Sequence, residues 1–244
     1  MVDDRILHDR LSASYDDKYL ESIASKMFLE YEMGFIERHL PECGRILELG
    51  CGTGISSTFL SRHCKFFYGV DYSSGMIKAT KNKAGSYACA DASSLPFKDG
   101  FFDTVVCRGA LHHMKNVRQV LLEVRRVLSA GGVFVLLEPS KTNLVIQFLR
   151  SLMKRFFSSY SADQTQFSAT QLENLLEGSG FAVGGVEFVG YFSNFFEFTD
   201  KMPLSKFVPA GAFKLVLGLD DWLSRRRFFR GLIWGVLVFG VKSP

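Results

Sequence analysis

The sequence predicts an α/β protein built on a doubly wound, mostly parallel sheet. Three observations carry that expectation. Strand-like and helix-like periodicities alternate from Arg45 to Leu137. An apolar run through Ile46, Leu47 and Leu49 leads straight into Gly50-Cys51-Gly52-Thr53-Gly54. Val133 to Leu137 is wholly apolar, as a central parallel strand buried on both faces must be. A chain of 244 residues is long enough for one domain with a full core, and residues 1–244 are read as one. Net charge is +4, with no long basic run, too mild to call for a nucleic-acid partner. Five cysteines, an odd number with no Cys-x-x-Cys, point away from a disulfide framework or a zinc site and toward a reducing, cytoplasmic setting. The start, Met1 to Arg5, is polar and acidic and lacks the apolar stretch of a signal peptide.

Residues 1–40 read as a helical arm before the sheet. Tyr15-Asp16-Asp17-Lys18-Tyr19 is followed by apolar residues at helical spacing: Ile23, Met27, Tyr31, Phe35 and Leu40. The core is expected over 41–138. Its first strand turns at the glycines into a helix carrying Ile55, Thr58, Phe59 and Leu60. Glycines at alternate positions let the main chain fold sharply and aim its N–H groups at a ligand. Phe66 to Val70 is a second strand ending at Asp71, and Ser73 opens a helix through Met76, Ile77 and Ala79. Ser86 to Ala90 is a short third strand that runs into Asp91-Ala92. Asp103 to Cys107, a fourth strand, delivers Arg108-Gly109-Ala110-Leu111-His112-His113 to the carboxyl edge of the sheet, where ligands of open α/β folds bind. Val117 to Leu128 reads as an amphipathic helix ended by Ala130-Gly131-Gly132, ahead of the fifth strand.

The second half is less regular. Asn143 to Phe157 reads as a largely apolar helix with Arg150, Lys154 and Arg155 on its remaining side. A lid, a dimer contact and a basic helix on a membrane surface all fit it, and its place after the fifth strand favours the lid. Ser168 caps a helix that ends at Gly178-Ser179-Gly180, and Phe181 to Val189 is a strand. Residues 191–230, aromatic and holding Pro203 and Pro209, read as short helices that enlarge an apolar pocket or lid. The 11-residue run Gly231 to Val241 falls short of the about 20 residues of a spanning helix, and its valines and aromatics make it a final strand over 231–244. Arg225-Arg226-Arg227 and Arg230 form a solvated helix end that leaves peripheral contact with anionic lipid open.

Ligand class follows from the glycine spacing. A dinucleotide fingerprint would put its third glycine at position 55, whereas here it falls at Gly54. Leu47 to Gly54 resembles motif I of the class I S-adenosylmethionine (AdoMet) methyltransferases. Asp71 lies 21 residues after Gly50, where an acidic side chain at a strand tip reaches ribose hydroxyls. Asp91-Ala92 ahead of Leu95-Pro96-Phe97 and Phe102-Asp103 extends the resemblance, which covers roughly Tyr15 to Glu138.

The resemblance implies a Rossmann-like, seven-stranded sheet whose last strand inserts antiparallel between the fifth and sixth, with helical lid insertions over 139–165 and 191–230. It implies AdoMet as cofactor, converted to S-adenosyl-L-homocysteine. Glu48, Gly50, Cys51, Gly52, Thr53 and Gly54 would cradle the methionine moiety. Asp71 would take the ribose, Tyr72 and Met76 would flank adenine and ribose, and Asp91 with Ala92 would bind the adenine. Tyr15 would close over the cofactor, and Arg108 with Gly109 would face the methyl group. His112 and His113 are the candidate general bases, because imidazole titrates near neutrality, or else one of them merely orders the loop. His8, His39 and His63 fall elsewhere in the pattern.

No metal is expected, His112 and His113 having no carboxylate or thiolate partner at ligand spacing in the sequence. Arg108-Gly109-Ala110-Leu111 stands where enzymes that methylate nucleobase amines carry Asn/Asp-Pro-Pro-Tyr/Phe, and no cysteine precedes a proline. The expected acceptor is therefore a small, hydrophobic or aromatic molecule. An AdoMet-binding regulatory or assembly protein is one alternative. A nicotinamide oxidoreductase is the other, disfavoured by the glycine spacing and by the lack of a Tyr-x-x-x-Lys pair.

Overall fold

The computed structural model describes residues 4–143, 166–193 and 206–243. The helix expected over Asn143 to Phe157 lies almost entirely outside them. Seven strands form one sheet in the order β3-β2-β1-β4-β5-β7-β6: β1 (Cys43–Leu49), β2 (Cys64–Asp71), β3 (Ser86–Cys89), β4 (Phe102–Arg108), β5 (Leu128–Pro139), β6 (Phe181–Val189) and β7 (Gly235–Lys242). The first five run parallel, and β7 is antiparallel to both β5 and β6. The order steps outward from β1 in both directions, so the carboxyl ends of β1 and β4 flank a switch point where a crevice opens.

Helices cover both faces. The arm holds α1 (Asp4–Leu11), α2 (Asp17–Leu20) and α3 (Ile23–Glu37). Within the core lie α4 (Ser57–Leu60), α5 (Ser74–Ala79) and α6 (Val117–Val127). Beyond β5 come α7 (Ala169–Glu177) and α8 (Ala210–Ser224). Val120, Leu121, Val124 and Val127 of α6 are buried with Phe102, Phe134 and Leu136 of the sheet in one cluster. On the opposite face Met33 and Ile36 of α3 join Ile46, Val106 and Val135. Each such side chain contributes about 1.5–3 kcal/mol by leaving water, so the two clusters fix which way every strand faces.

Several boundaries differ from the sequence reading. The helix after the glycine turn is a single turn, α4, followed by a 3-10 turn at Ser61–His63, because β2 begins at Cys64 and leaves no room for more. Strand β5 starts at Leu128, so Ala130-Gly131-Gly132 lies inside it. Phe102 pairs with Leu128 and Thr104 with Val133, and the surplus residues bulge where Gly131 has φ +71°. Within the insertion expected over 191–230, residues 210–224 form one 15-residue helix, and residues 194–205 lie outside the described residues. The final strand begins at Gly235, with a 3-10 turn over Arg227–Leu232 ahead of it. Helix α1 lies within the helical arm expected over 1–40, although Asp-Arg-Ile-Leu-His-Asp-Arg-Leu carries no long apolar face that would mark it.

Helix α7 begins as its sequence prescribes. Ser168 Oγ accepts from the Gln171 N–H at 3.3 Å, and Gln171 Oε1 accepts from the Ser168 N–H at 3.0 Å, a reciprocal capping box. Replacing Ser168 with alanine should cost about 1 kcal/mol in a urea melt, and a change within error would show that Leu172 and Leu176 hold the helix without it.

Candidate functional site

The glycine turn sits at the carboxyl end of β1. Gly50, Gly52 and Gly54 have φ of +63°, +53° and +75°, the left-handed region that L side chains avoid. Gly50 also needs its small size, since a Cβ there would fall 2.3 Å from Ala110 Cβ on the neighbouring β4 loop. The main chain at the tip of β1 thus packs directly on Ala110 at the tip of β4.

Asp71, at the tip of β2, splits its carboxylate. Oδ2 accepts from the Gly52 N–H at 2.9 Å and Oδ1 from the Ser73 N–H at 2.8 Å. Each oxygen keeps a further lone pair for a hydroxyl. Ser73 caps α5 by accepting from the Met76 N–H, so the helix-start role falls to Ser73 and Asp71 is spared it. Tyr72 is exposed, with the Arg5 guanidinium 5.0 Å from its ring centroid, and Met76 is fully buried. Asp91 lies in an exposed turn where Oδ1 takes the Ser93 N–H and hydroxyl, with the half-buried Ala92 between them.

Glu48 and Arg108 lie beneath this turn, each within the other's electrostatic reach. Glu48 is buried, and burial pushes its carboxyl up to about 7 against the pull of the Ser56 hydroxyl and Arg108. Burial alone would lower the Arg108 guanidinium, but Tyr19, Glu32 and Glu48 around it prevail and raise it. Arg108 Nη1 donates to Glu32 Oε2 of α3 at 3.0 Å, and its guanidinium stands 5.1 Å from the Tyr19 ring centroid. Yet Glu48 Oε2 and Arg108 Nε are buried with no hydrogen-bond partner. An orphaned acceptor on an acid and an orphaned donor on a nearby cation are an arrangement that a zwitterion satisfies.

The arm is fastened over the turn. The Tyr15 ring reaches Gly52, where an added Cβ would be 3.7 Å from Tyr15 Cε1. Asp16 accepts from the Thr53 hydroxyl and pairs with Lys83 Nζ at 3.0 Å. Asp9 of α1 accepts from Ser73 Oγ at 2.5 Å and the Gly75 N–H at 2.8 Å, and these bonds hold its carboxyl below the usual range.

The histidines require two corrections. Asp9 pins α1 so that His8 lies edge-on to His113, ring centroids 5.3 Å apart, and 6.2 Å from Tyr15; His8 therefore belongs to this region. His112 also has a carboxylate partner. Its Nδ1 is 2.7 Å from Glu138 Oε2, at the end of β5. Glu138, buried at 1% exposure, also accepts from the backbone N–H groups of Ala110, Leu111 and His112. One carboxylate thus shapes the loop and sets the ring, and with Nδ1–H donating to it, Nε2 is left as the basic nitrogen. Gly109 beside it is exposed at φ +60°. Glu138→Gln removes the acceptor for His112 and should cost about 1–2 kcal/mol of stability. It should also move the His112 imidazole resonances in NMR, and an unmoved spectrum would show that the bond contributes nothing.

Sequence reasoning missed Asp16, Tyr19, Glu32 and Glu138. For Glu138 a signal was there, an acid closing a wholly apolar strand; for Glu32 there was none, because it sits on a helix remote in sequence. Among the described residues no group of three or more His, Cys, Asp or Glu is placed to hold a metal, and no helix is long and apolar enough to cross a membrane.

Residues 47–136 match a family model described as a methyltransferase domain. An uncharacterized methyltransferase of Bacillus subtilis, YcgJ, is 33% identical over 143 residues, covering 52% of this chain and 56% of that protein. The chain spans about half the length of the curated relatives it matches. Among solved structures, a Thermotoga maritima protein described as a SAM-dependent methyltransferase, possible histamine N-methyltransferase, superposes with TM-score 0.67 at 19% identity over 98% of this chain and 99% of that one. Geranyl diphosphate C-methyltransferase of Streptomyces coelicolor, solved with Mg2+, geranyl diphosphate and S-adenosyl-L-homocysteine, gives 0.63 at 13% identity over 88% and 79%.

Proposed function

We propose that this chain, which carries a methyltransferase domain with the class I fold, transfers a methyl group from AdoMet to a small, hydrophobic or aromatic acceptor. The observation that carries the reading is the orphaned pair, Glu48 Oε2 and Arg108 Nε, under a glycine turn. The methionine end of AdoMet presents an ammonium and a carboxylate, complementary to that acceptor and that donor. The solved relative with S-adenosyl-L-homocysteine bound supports the same cofactor class.

Each residue then has a task. Glu48 Oε2 receives the ammonium, Arg108 Nε the carboxylate, and the N–H groups of 50–54 line the groove. Asp71 takes the two ribose hydroxyls on its remaining lone pairs. Asp91 gives up part of its bond to Ser93 to accept from the adenine amino group, with the Ala92 N–H on a ring nitrogen, while Tyr72 and Met76 border the nucleoside. Tyr15 covers the turn. When bound, AdoMet supplies an electrophilic methyl carbon on a sulfonium and is left as S-adenosyl-L-homocysteine. The chain contributes alignment and exclusion of water. Where the acceptor must lose a proton, His112 takes it at Nε2, with Nδ1 held by Glu138. His113, turned toward His8, is the second candidate.

The test is isotopic. Protein incubated with methyl-labelled AdoMet and a fractionated cell extract should place label in a small apolar metabolite identified by mass spectrometry. AdoMet binding without any label transferred would favour a regulatory or assembly role. Tight NAD binding with no AdoMet heat in calorimetry would overturn the cofactor class itself, and label in a polynucleotide would overturn the acceptor class.

A further inference from the structure

A surface helix normally buries one face and shows charge on the other. Helix α8 does the first but not the second. Its inner face carries Phe213, Asp220 and Leu223, all buried. Phe213 packs with Ala24 and Phe28 of α3 and with Trp234. Asp220 accepts from the Tyr191, Phe192 and Ser193 N–H groups, and Asp221 Oδ1 accepts from the Tyr31 hydroxyl at 3.1 Å. The helix is therefore fixed in orientation. Opposite stands a second apolar stripe, Leu215, Leu219 and Trp222, exposed at 77%, 45% and 50%. Phe228 of the following turn continues it at 90% exposure.

Charge identifies what covers this stripe. Lys214, Arg225 and Arg226 are exposed beside it, the Arg226 guanidinium lying 4.7 Å from the Trp222 ring centroid, while the Arg230 guanidinium is taken up 4.7 Å from the Phe188 ring of β6. The exposed acid of the helix, Asp221, is engaged by Tyr31. A second copy docking about a two-fold axis would bring these cations against themselves. Apolar side chains rimmed by arginine and lysine, with a tryptophan between, instead match an anionic bilayer, where the apolar groups enter the acyl boundary and the cations meet phosphates.

We propose that the outer face of α8 and the Arg225–Arg230 turn dock this protein on an anionic lipid surface. The face points away from α3, against which Phe213 on the buried side of α8 packs. The proposal stands independently of the reaction assigned above.

Trp222 makes the test direct, because the other tryptophan, Trp234, is 7% exposed. The full chain is titrated with phosphatidylglycerol-containing vesicles and, separately, with pure phosphatidylcholine vesicles. Emission should shift to the blue and the protein should cosediment with the first and not the second, and added salt should weaken both effects. Arg225→Gln with Arg226→Gln should lower partitioning at least tenfold, each cation counting for about fivefold. Leu215→Ser with Leu219→Ser should abolish it. All four positions are exposed, so melting temperature and AdoMet affinity should stay at wild-type values. Trp222→Phe should lose the spectral shift. No shift and no cosedimentation with anionic vesicles would overturn the proposal. So would a lipid-free shift that grows with protein concentration alongside a doubled mass in sedimentation equilibrium, which would make the face a contact between copies.

Discussion

Glu48→Gln should raise the melting temperature of the free protein above pH 7 while weakening its hold on AdoMet, two effects of opposite sign from one atom exchange. In the folded chain the Glu48 carboxyl titrates at about 7, against a usual 4.5. Its folded-state value lies above the unfolded one, so its contribution to stability is fully present below about pH 4.5 and is lost as pH rises to about 7. The loss amounts to about 3 kcal/mol. Glutamine keeps the shape and never ionises. At pH 8 the variant should therefore be more stable by about 2 kcal/mol, an advantage that vanishes at pH 5. On the proposed reading the ammonium of AdoMet needs the ionised acid, so affinity should fall about 30-fold or more in the variant. In the wild type, affinity should climb between pH 6 and 8, with protons released on binding. Thermal melts and calorimetry across that range decide the matter. A variant that is less stable at pH 8 would show that Arg108 stabilises the charge more than burial penalises it.

Asp71→Ala should reduce AdoMet affinity by at least 100-fold, about 3 kcal/mol, since two hydroxyls lose a charged acceptor. The same change frees the Gly52 and Ser73 N–H groups that the carboxylate now holds, so some loss of stability accompanies it. Ligand fragments separate the two effects. Binding of adenosine should fall with that of AdoMet, whereas methionine, proposed to meet Glu48 and Arg108 instead, should bind nearly as before. If AdoMet affinity stays unchanged, the ribose does not lie at the tip of β2 and the assignment of the groove fails.

Much of this geometry could be read from the chain because it depends on local backbone demands. Gly50, Gly52 and Gly54 each adopt a backbone state that few other residues tolerate, and Asp71 ends an unmistakable strand. Val133 to Leu137 is apolar because β5 lies between β4 and β7 with helices on both faces. What escaped was whatever depends on distant segments meeting. Arg108 was placed correctly at a strand tip, but its partner Glu32 lies 76 residues earlier on a helix packed against that tip. His8 reaches His113 only because Asp9 bonds to the start of α5. The β5 boundary escaped for a different reason: a bulge admits glycines into a strand, where pattern reading takes them for a stop.

The stitching of the arm to the turn has a kinetic meaning. Tyr15, Asp16 and Asp9 grip the rim through Gly52, Thr53, Ser73 and Gly75, so on the proposed reading the nucleoside's way in and out would pass beneath a strap tied at several separate knots. Loosening one knot should hasten departure of the spent nucleoside more than it alters the chemical step, which would make the dwell time of product, and with it the pace of the proposed turnover, a property of the first twenty residues.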